Sequence, residues 1–439
     1  MSRIPEGMRA IVCSRKDPPP VFTRLRANHL IEIIGWDELR LALEESRGII
    51  RLRAPQVRSK ETIRRLHETA EGWAAGLVLM LQRMKREGTD PQILGRLSQE
   101  GVFDYFKSEL FDKTEKKIQD FLLKTAFLPR ITPRMAHDLT GLSGAARILA
   151  GLNRDNYFTE KRFNTETFYQ YHPLLREFLL SCAREIFPPE TLSALHHCAA
   201  ILLEESGQVE DALRLFRENS EQDAVVSLIM KHAQALLAQG RNRTLEEWLA
   251  LLPEGMIEDN PWLSYWRGAS RLPYDPLQSH PAFEKAFEGF TAREDVAGIF
   301  LAWSGIVDSI NYGFTDFAPM DHWVSVLDGL MQSFRAFPSS EIEAQVASSM
   351  VAALALRELK HPDIESWADR ILSLPEDHSA VICSKIKTLL HLICHRRCTG
   401  DLRKIASDIG LLRHLRHSRE ASPLARLTAK FAEACGYEM

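Results

Sequence analysis

The chain has 439 residues, 26% of them charged and 45% hydrophobic, with a formal net charge of -4. This is the composition of an ordinary soluble globular protein, long enough for two to four domains. Such a balance argues against bulk attraction to nucleic acid or acidic membranes, although residues 1–200 carry 31 Lys+Arg against 25 Asp+Glu and the remainder 24 against 34. No run of about 18 apolar residues occurs, so no membrane span is expected, and the first twenty residues lack the apolar stretch of a signal peptide. Seven cysteines, at 13, 182, 198, 383, 394, 398 and 435, are odd in number and scattered. They point to free thiols in a reducing cytoplasm rather than a disulfide framework.

In chain order, 8–13 (MRAIVC) reads as a buried strand, broken by charged residues and then three prolines. A strand apolar on both faces belongs inside a parallel sheet, and the one plausible companion is 30–33 (LIEI). The chain is therefore expected to start within an α/β domain. From Asp37 the period becomes helical: Leu39, Leu43, Ser46 and Ile50 share a face, Ser59 caps the next helix, and Gly72 punctuates a bend before Trp73.

Residues 103–187 change pattern again. Short helices are expected around 103–110, 114–126, 132–139 and 143–153, then β-prone pieces at 157–159 and 168–171 separated by the polar stretch 160–167. A helix 173–186 follows, with Pro173 in its first turn. Helices followed by a two-stranded wing describe a winged helix. From about 191 onward only helices are expected, their apolar positions spaced 3-4-3 and their pairs recurring every 35 to 40 residues. That pattern suggests a tetratricopeptide-like α-solenoid. The fold class expected is mainly α, with a partial α/β NTPase remnant and helical lid at the start. The divisions fall at 1–34 (core remnant), 35–95 (lid), 96–190 (winged helix), 191–235 (helical arm) and 236–439 (repeats).

Four motifs in this order carry a resemblance. They are Ile11-Val12-Cys13-Ser14-Arg15; the run of Arg24 to Ala27, Ile31-Glu32 and Asp37 to Arg40 with Glu44-Glu45; Glu71-Gly72-Trp73-Ala74-Ala75-Gly76-Leu77; and Tyr171-His172-Pro173-Leu174-Leu175-Arg176-Glu177-Phe178-Leu179. Together they resemble the MalT-like signal-transduction ATPases of the LuxR regulator family, over roughly residues 1–235 and only loosely beyond. The resemblance implies that ATP or ADP lies between core, lid and winged helix in full-length relatives. It also implies that Arg15 faces the terminal phosphate and His172 the β-phosphate. Gly72 and Ala74 stand where other branches carry a Gly-x-Pro motif at the adenine, here without the Pro. In relatives, inducer on the repeats and ATP on the core drive oligomerisation, which leaves self-association open here.

A phosphate-binding loop needs G-x-x-x-x-G-K-[ST], and this sequence has no Gly-Lys pair. The expectation is a truncated regulator without competent ATP hydrolysis, without a LuxR-type helix-turn-helix and with no cofactor of its own. Arg15 and His172 then count as vestigial nucleotide contacts. No catalytic residues are assigned, and the chain is expected not to be an enzyme. His391, Cys394, His395 and Cys398 share one helical face, but a single straight helix cannot surround zinc tetrahedrally, so core packing is expected there and no metal. Trp248, Trp262, Trp266, Trp303 and Trp323 fall on helical stripes and read as core. The stretch 143–153 holds a single basic residue, Arg147, too few for DNA reading. The partners expected are a small-molecule inducer or a protein on the repeats. Two alternatives stay open: a stand-alone helical-repeat adaptor for a protein or peptide, and a DNA-binding winged-helix protein.

Overall fold

The computed structural model describes residues 11–12, 22–87, 102–155, 157–164 and 166–437. The chain divides into two units, Met1–Ser220 and Glu221–Met439. It is mainly α, and among the described residues the one sheet is two-stranded.

In the first unit, α1 (Thr23–Ala27) and α2 (Trp36–Leu39) precede a packet of α3 (Leu43–Arg53), α4 (Lys60–Ala70) and α5 (Ala74–Glu87). Of the strand expected at 8–13 only Ile11 and Val12 are described, 92% and 70% exposed and in no element. The companion expected at 30–33 is not a strand, and Leu30 is 70% exposed. No described strand lies beside it to pair with its backbone.

The helical face drawn through Leu39, Leu43, Ser46 and Ile50 is also corrected. Ser46 and Ile50 are buried, but Leu39 is exposed and the helix stops between α2 and α3. Two bonds fix that break. The Leu41 N–H donates to the Gly72 carbonyl at 2.9 Å, and the Ala42 N–H donates to the Glu45 carboxylate at 2.7 Å, starting α3. Ser59 caps α4 as its sequence suggests, its hydroxyl accepting from the Thr62 N–H.

The winged helix follows. It comprises α6 (Lys107–Phe111, wound as a π turn), α7 (Lys116–Thr125), α8 (Pro133–Thr140), α9 (Ala145–Arg154), β1 (Thr159–Phe163), β2 (Thr167–Tyr171) and α10 (Pro173–Ile186). Thr132 caps α8 with Pro133 at its first position, and His172 caps α10 with Pro173 there. The two strands pair antiparallel, Thr159 opposite Tyr171 and Phe163 opposite Thr167. The polar stretch read as a connection is thus mostly strand. An isolated bridge of Ile131 to Tyr169 adds a third backbone contact to the wing. Phe121, Leu122, Leu128, Ile131, Leu149, Leu174 and Leu179 form the core around which these elements close. The pair α11 (Pro189–Glu205) and α12 (Val209–Glu218) ends this unit, joined through Gly207 at φ +78°.

The second unit is helical throughout. It starts with α13 (Gln222–Ala238), α14 (Asn242–Leu249) and α15 (Glu254–Asp259). A regular stack follows: α16 (Pro261–Arg271) with α17 (Pro276–Ala292), α18 (Val296–Gly313) with α19 (Met320–Ser333), α20 (Ser340–Arg357) with α21 (Asp363–Leu372), α22 (Ser379–Thr399) with α23 (Leu402–Arg416), and α24 (Pro423–Tyr437). The first helix of each pair packs on the first helix of the next, and the second fills the groove between them. The starts at Pro261, Val296, Ser340, Ser379 and Pro423 are 35, 44, 39 and 44 residues apart; two steps fall within the expected 35 to 40 and two exceed it, in a stack where α18, α20 and α22 run to 18, 18 and 21 residues.

A continuous core built on Phe283, Phe290, Phe300, Trp303, Ile386 and Leu412 runs through the stack. The tryptophans sit as expected: Trp248 and Trp303 are buried, while Trp262, Trp266 and Trp323 pack partly buried against the core. No helix among the described residues is long and apolar enough to cross a membrane.

Candidate functional site

The motif of residues 71–77 and the motif of residues 171–179 meet in the first unit. Glu71 ends α4 in the left-handed conformation, φ +46°, and Gly72 follows at φ +81°. These two residues reverse the chain so that Trp73 turns inward at the start of α5. Gly72 has to be glycine on two counts: its φ, and the 2.4 Å that would separate an added Cβ from Arg40 Cγ. The turn is tied to the segment ahead of α3, since Arg40 Nε donates to the Glu71 carbonyl at 2.8 Å. Trp73 then lies flat against Gly76, where a Cβ would come within 2.1 Å of its ring.

Trp73 is the centre of an aromatic cluster joining the lid helices to the winged helix. It stacks on Phe106 (centroids 5.6 Å apart, planes at 14°) and meets Phe158 edge-on at 5.0 Å and His172 edge-on at 6.3 Å. Phe158 is itself held at φ +49°, and its carbonyl accepts from the His172 N–H at 2.8 Å. Phe178 of α10 closes the cluster against Phe106 at 5.8 Å. Such aromatic pairs add about 0.5–1.5 kcal/mol each beyond their burial.

The His172 ring is held at the cap of α10. Nδ1 accepts from the Leu174 N–H at 3.3 Å, so the neutral ring carries its proton on Nε2. Nε2 lies 3.9 Å from the Glu71 carboxylate. Burial drives the His172 pKa down from 6.5 to about 4 even though the Ala70 carbonyl favours the proton. Burial likewise raises the Glu71 carboxyl above its ordinary value, with Arg40 acting against it. At neutral pH the joint therefore holds an uncharged imidazole beside a partly sheltered carboxylate.

Of the residues singled out from sequence, His172, Gly72 and Trp73 come together here. Ala74 is exposed on the first turn of α5, and Arg15 lies outside the described residues. Glu71 and Arg176 stand inside the quoted motifs but were given no role of their own. Arg176 Nε reaches back to the Ala126 carbonyl at 2.8 Å, fastening α10 to the end of α7. The only sequence signals were the Glu-Gly pair before a tryptophan and an arginine inside an apolar helix.

A phosphate beside His172 Nε2 would meet the charge of the Glu71 carboxylate, 3.9 Å away. Of the four residues expected to pack in the core at 391–398, His391 and His395 are half-buried but Cys394 and Cys398 are exposed, because the side of α22 turned into the core carries Leu389, Leu392, Ile393 and Arg396 instead. His395 Nε2 bonds the Leu359 carbonyl at 2.7 Å, and Leu392 and Ile393 are fully buried beside it. No metal-holding cluster exists among the described residues. On the winged helix, α9 offers Arg147 and Arg154, while Arg162 of the wing is paired to Glu160 at 2.7 Å.

A family model described as the MalT winged helix domain matches residues 107–191. The HTH-type transcriptional regulator MalT of Vibrio campbellii is 25% identical over 271 residues, which is 61% of this chain and 30% of that protein. Its counterpart of Vibrio parahaemolyticus is 24% identical over 271 residues, with the same coverage. That of Yersinia pestis is 24% identical over 283 residues, 63% of this chain and 31% of the relative. The chain thus spans under a third of the length of the curated relatives it matches. With its winged helix matched as a domain, and with alignments to those regulators that run well beyond that domain, the chain is MalT-like.

Proposed function

We propose that this chain is the lid, winged-helix and effector-sensing part of a cytoplasmic MalT-like transcriptional regulator of the LuxR family. Its parts divide as residues 1–34 (NTPase core remnant), 35–95, 96–190, 191–235 and 236–439. The observation that carries this reading is the joint at Trp73. A left-handed Glu71-Gly72 turn delivers the lid tryptophan onto the cap of α10, so that lid and winged helix share a single aromatic core.

The repeats supply the surface for a small-molecule inducer or a protein. Arg15 and His172 are assigned a vestigial nucleotide role. The sequence has no Gly-Lys pair to cradle a β-phosphate, and His172 Nε2 lies 3.9 Å from the Glu71 carboxylate. On this reading nucleotide turnover and direct reading of DNA are not assigned to these residues, and self-association is left open. Purified chain should release no phosphate from ATP above buffer; turnover that persists in Arg15→Ala and His172→Ala would reveal a different site.

The decisive experiment exchanges the repeats of the Vibrio campbellii MalT for residues 221–437 and follows transcription from its target promoter. The expected result is that response to the original inducer is lost and that response to a new one can be selected. Unchanged induction would refute a sensing role for these repeats.

A further inference from the structure

The turn between α3 and α4 concentrates positive charge. Residues 47–65 hold 7 Lys+Arg against 1 Asp+Glu, an excess of six, the same as that of 31 against 25 over residues 1–200. Arg47 is paired to Glu44 at 2.9 Å. The other six, Arg51, Arg53, Arg58, Lys60, Arg64 and Arg65, are all exposed, and their side chains have no ion-pair or hydrogen-bond partner among the described residues. Their placement opposes the helix that carries them. Arg58 and Lys60 flank the Ser59 cap of α4, at the end where the helix dipole is already positive. Lys60 and Arg64 stand four residues apart on α4, where like charges repel. Leu52 is the one large apolar side chain exposed in this stretch, at 84%, and no Phe, Tyr or Trp occurs between residues 43 and 70.

We propose that the tip formed by the end of α3 and the start of α4 holds the phosphate backbone of duplex DNA, without reading its bases. A polyanion relieves both strains at once, the cations at the start of α4 and their mutual repulsion. Five of the six free cations are arginines, whose planar fork matches phosphate oxygens in pairs. The surroundings select the duplex among polyanions. A protein pocket or a bilayer would need more apolar surface than Leu52 offers. A single strand would need aromatic side chains to stack on, and this stretch has none. A duplex asks for charge alone, since it presents one phosphate for about every 1.7 Å of its axis. Contacts of this kind position a protein and carry no sequence information. The net charge of -4 does not forbid them, because salt confines each charge to a range of about 10 Å at 0.1 M. The surface is separate from the repeats and does not depend on their sensing role.

The test uses the full chain and a short fluorescently labelled DNA duplex of arbitrary sequence, read by anisotropy. Binding is expected at about 50 mM salt, and raising salt to about 200 mM should weaken it tenfold or more, about a thousandfold if all six cations meet phosphate. Arg51→Ala, Arg53→Ala, Arg64→Ala and Arg65→Ala combined should weaken binding at least about tenfold and flatten the salt dependence, at an unchanged melting temperature. Should the combined variant melt lower, the pairs Arg51→Ala with Arg53→Ala and Arg64→Ala with Arg65→Ala, made separately, should each weaken binding several-fold. Arg147→Ala with Arg154→Ala on α9 should leave binding as it is. No binding at low salt, or a salt effect smaller than tenfold, would overturn the proposal. So would equal affinity for one strand of the same sequence, or a clear preference among duplex sequences. Binding lost in the α9 variant but kept in the α3–α4 variants would move the contact to the winged helix and sink the idea. Tighter capture by anionic lipid vesicles than by the duplex would do the same.

Discussion

Trp73 depends on two glycines for its position, and Gly76 is the more stringent. Gly76→Val would drive side-chain atoms into the indole ring and force it off its seat. The expected destabilisation is about 1–3 kcal/mol, with a shift in tryptophan emission on the same variant; an unchanged spectrum and melting temperature would show that the ring has room. His172 makes the joint sensitive to acid. In the unfolded chain the group titrates near 6.5, whereas in the fold its pKa is about 4. Its contribution is therefore complete above pH 6.5 and is lost as pH falls toward 4, by up to about 3 kcal/mol. His391, lowered to about 4 chiefly by burial and then by Lys387, adds a loss of the same sign. His172→Phe should be less stable than wild type at pH 7.5, having lost a cap worth about 1 kcal/mol. That deficit should shrink at pH 5, and urea midpoints at the two pH values would show it. At this scale the sequence made His172 and Gly72 legible, because a histidine before proline and a glycine before tryptophan are conspicuous. Glu71 was not legible, since its importance lies in a backbone angle that any of several residues adopts at a helix end.

The elements that were hardest to read are those whose polarity hides them. In β1 only Thr159 is buried and Arg162 is exposed, so no alternation marked a strand. The strand exists because Tyr169 and Tyr171 of β2 are buried and give it a partner. Tyr171 also donates to or accepts from the Thr125 hydroxyl at 2.7 Å, inside the core. Tyr171→Phe should cost about 1 kcal/mol, while Lys161→Ala should stay within about 0.5 kcal/mol; chemical denaturation of the two variants separates core from wing surface.

In the stack, α18 and α22 are joined by Lys387 and Asp308, with Nζ to Oδ2 at 2.7 Å, and Ser349 of α20 donates to the other carboxylate oxygen at 2.9 Å. Lys387→Met strands a carboxylate that is only 6% exposed. It should destabilise by about 3 kcal/mol, whereas Lys387→Arg should cost clearly less. Equal losses in the two variants would mean that packing, not charge, decides this contact. These three positions lie 79 and 41 residues apart in pairs, and no local pattern links them.

At the scale of the whole molecule, the helical repeats were plain in the sequence because each helix buries one face, and the 3-4-3 rhythm of Trp262/Trp266, Val296/Ile299/Phe300 and Trp323/Leu327 records it. The length of the repeat was legible for the steps of 35 and 39 residues and fell short for the two of 44, in a stack whose helices α18, α20 and α22 run to 18, 18 and 21 residues. The run of cations at the turn between α3 and α4 was concealed by a net value of -4. Because each pair of helices in the stack packs mainly on the next, tension applied to the ends of the second unit would not build toward one abrupt rupture. The stack would peel from an end, pair by pair, at modest force. Each step would release a segment such as the 44 residues from Val296 to Ser340, about 15 nm of chain when fully drawn out. Such a stack yields like a spring that can re-coil rather than like a bolt that shears.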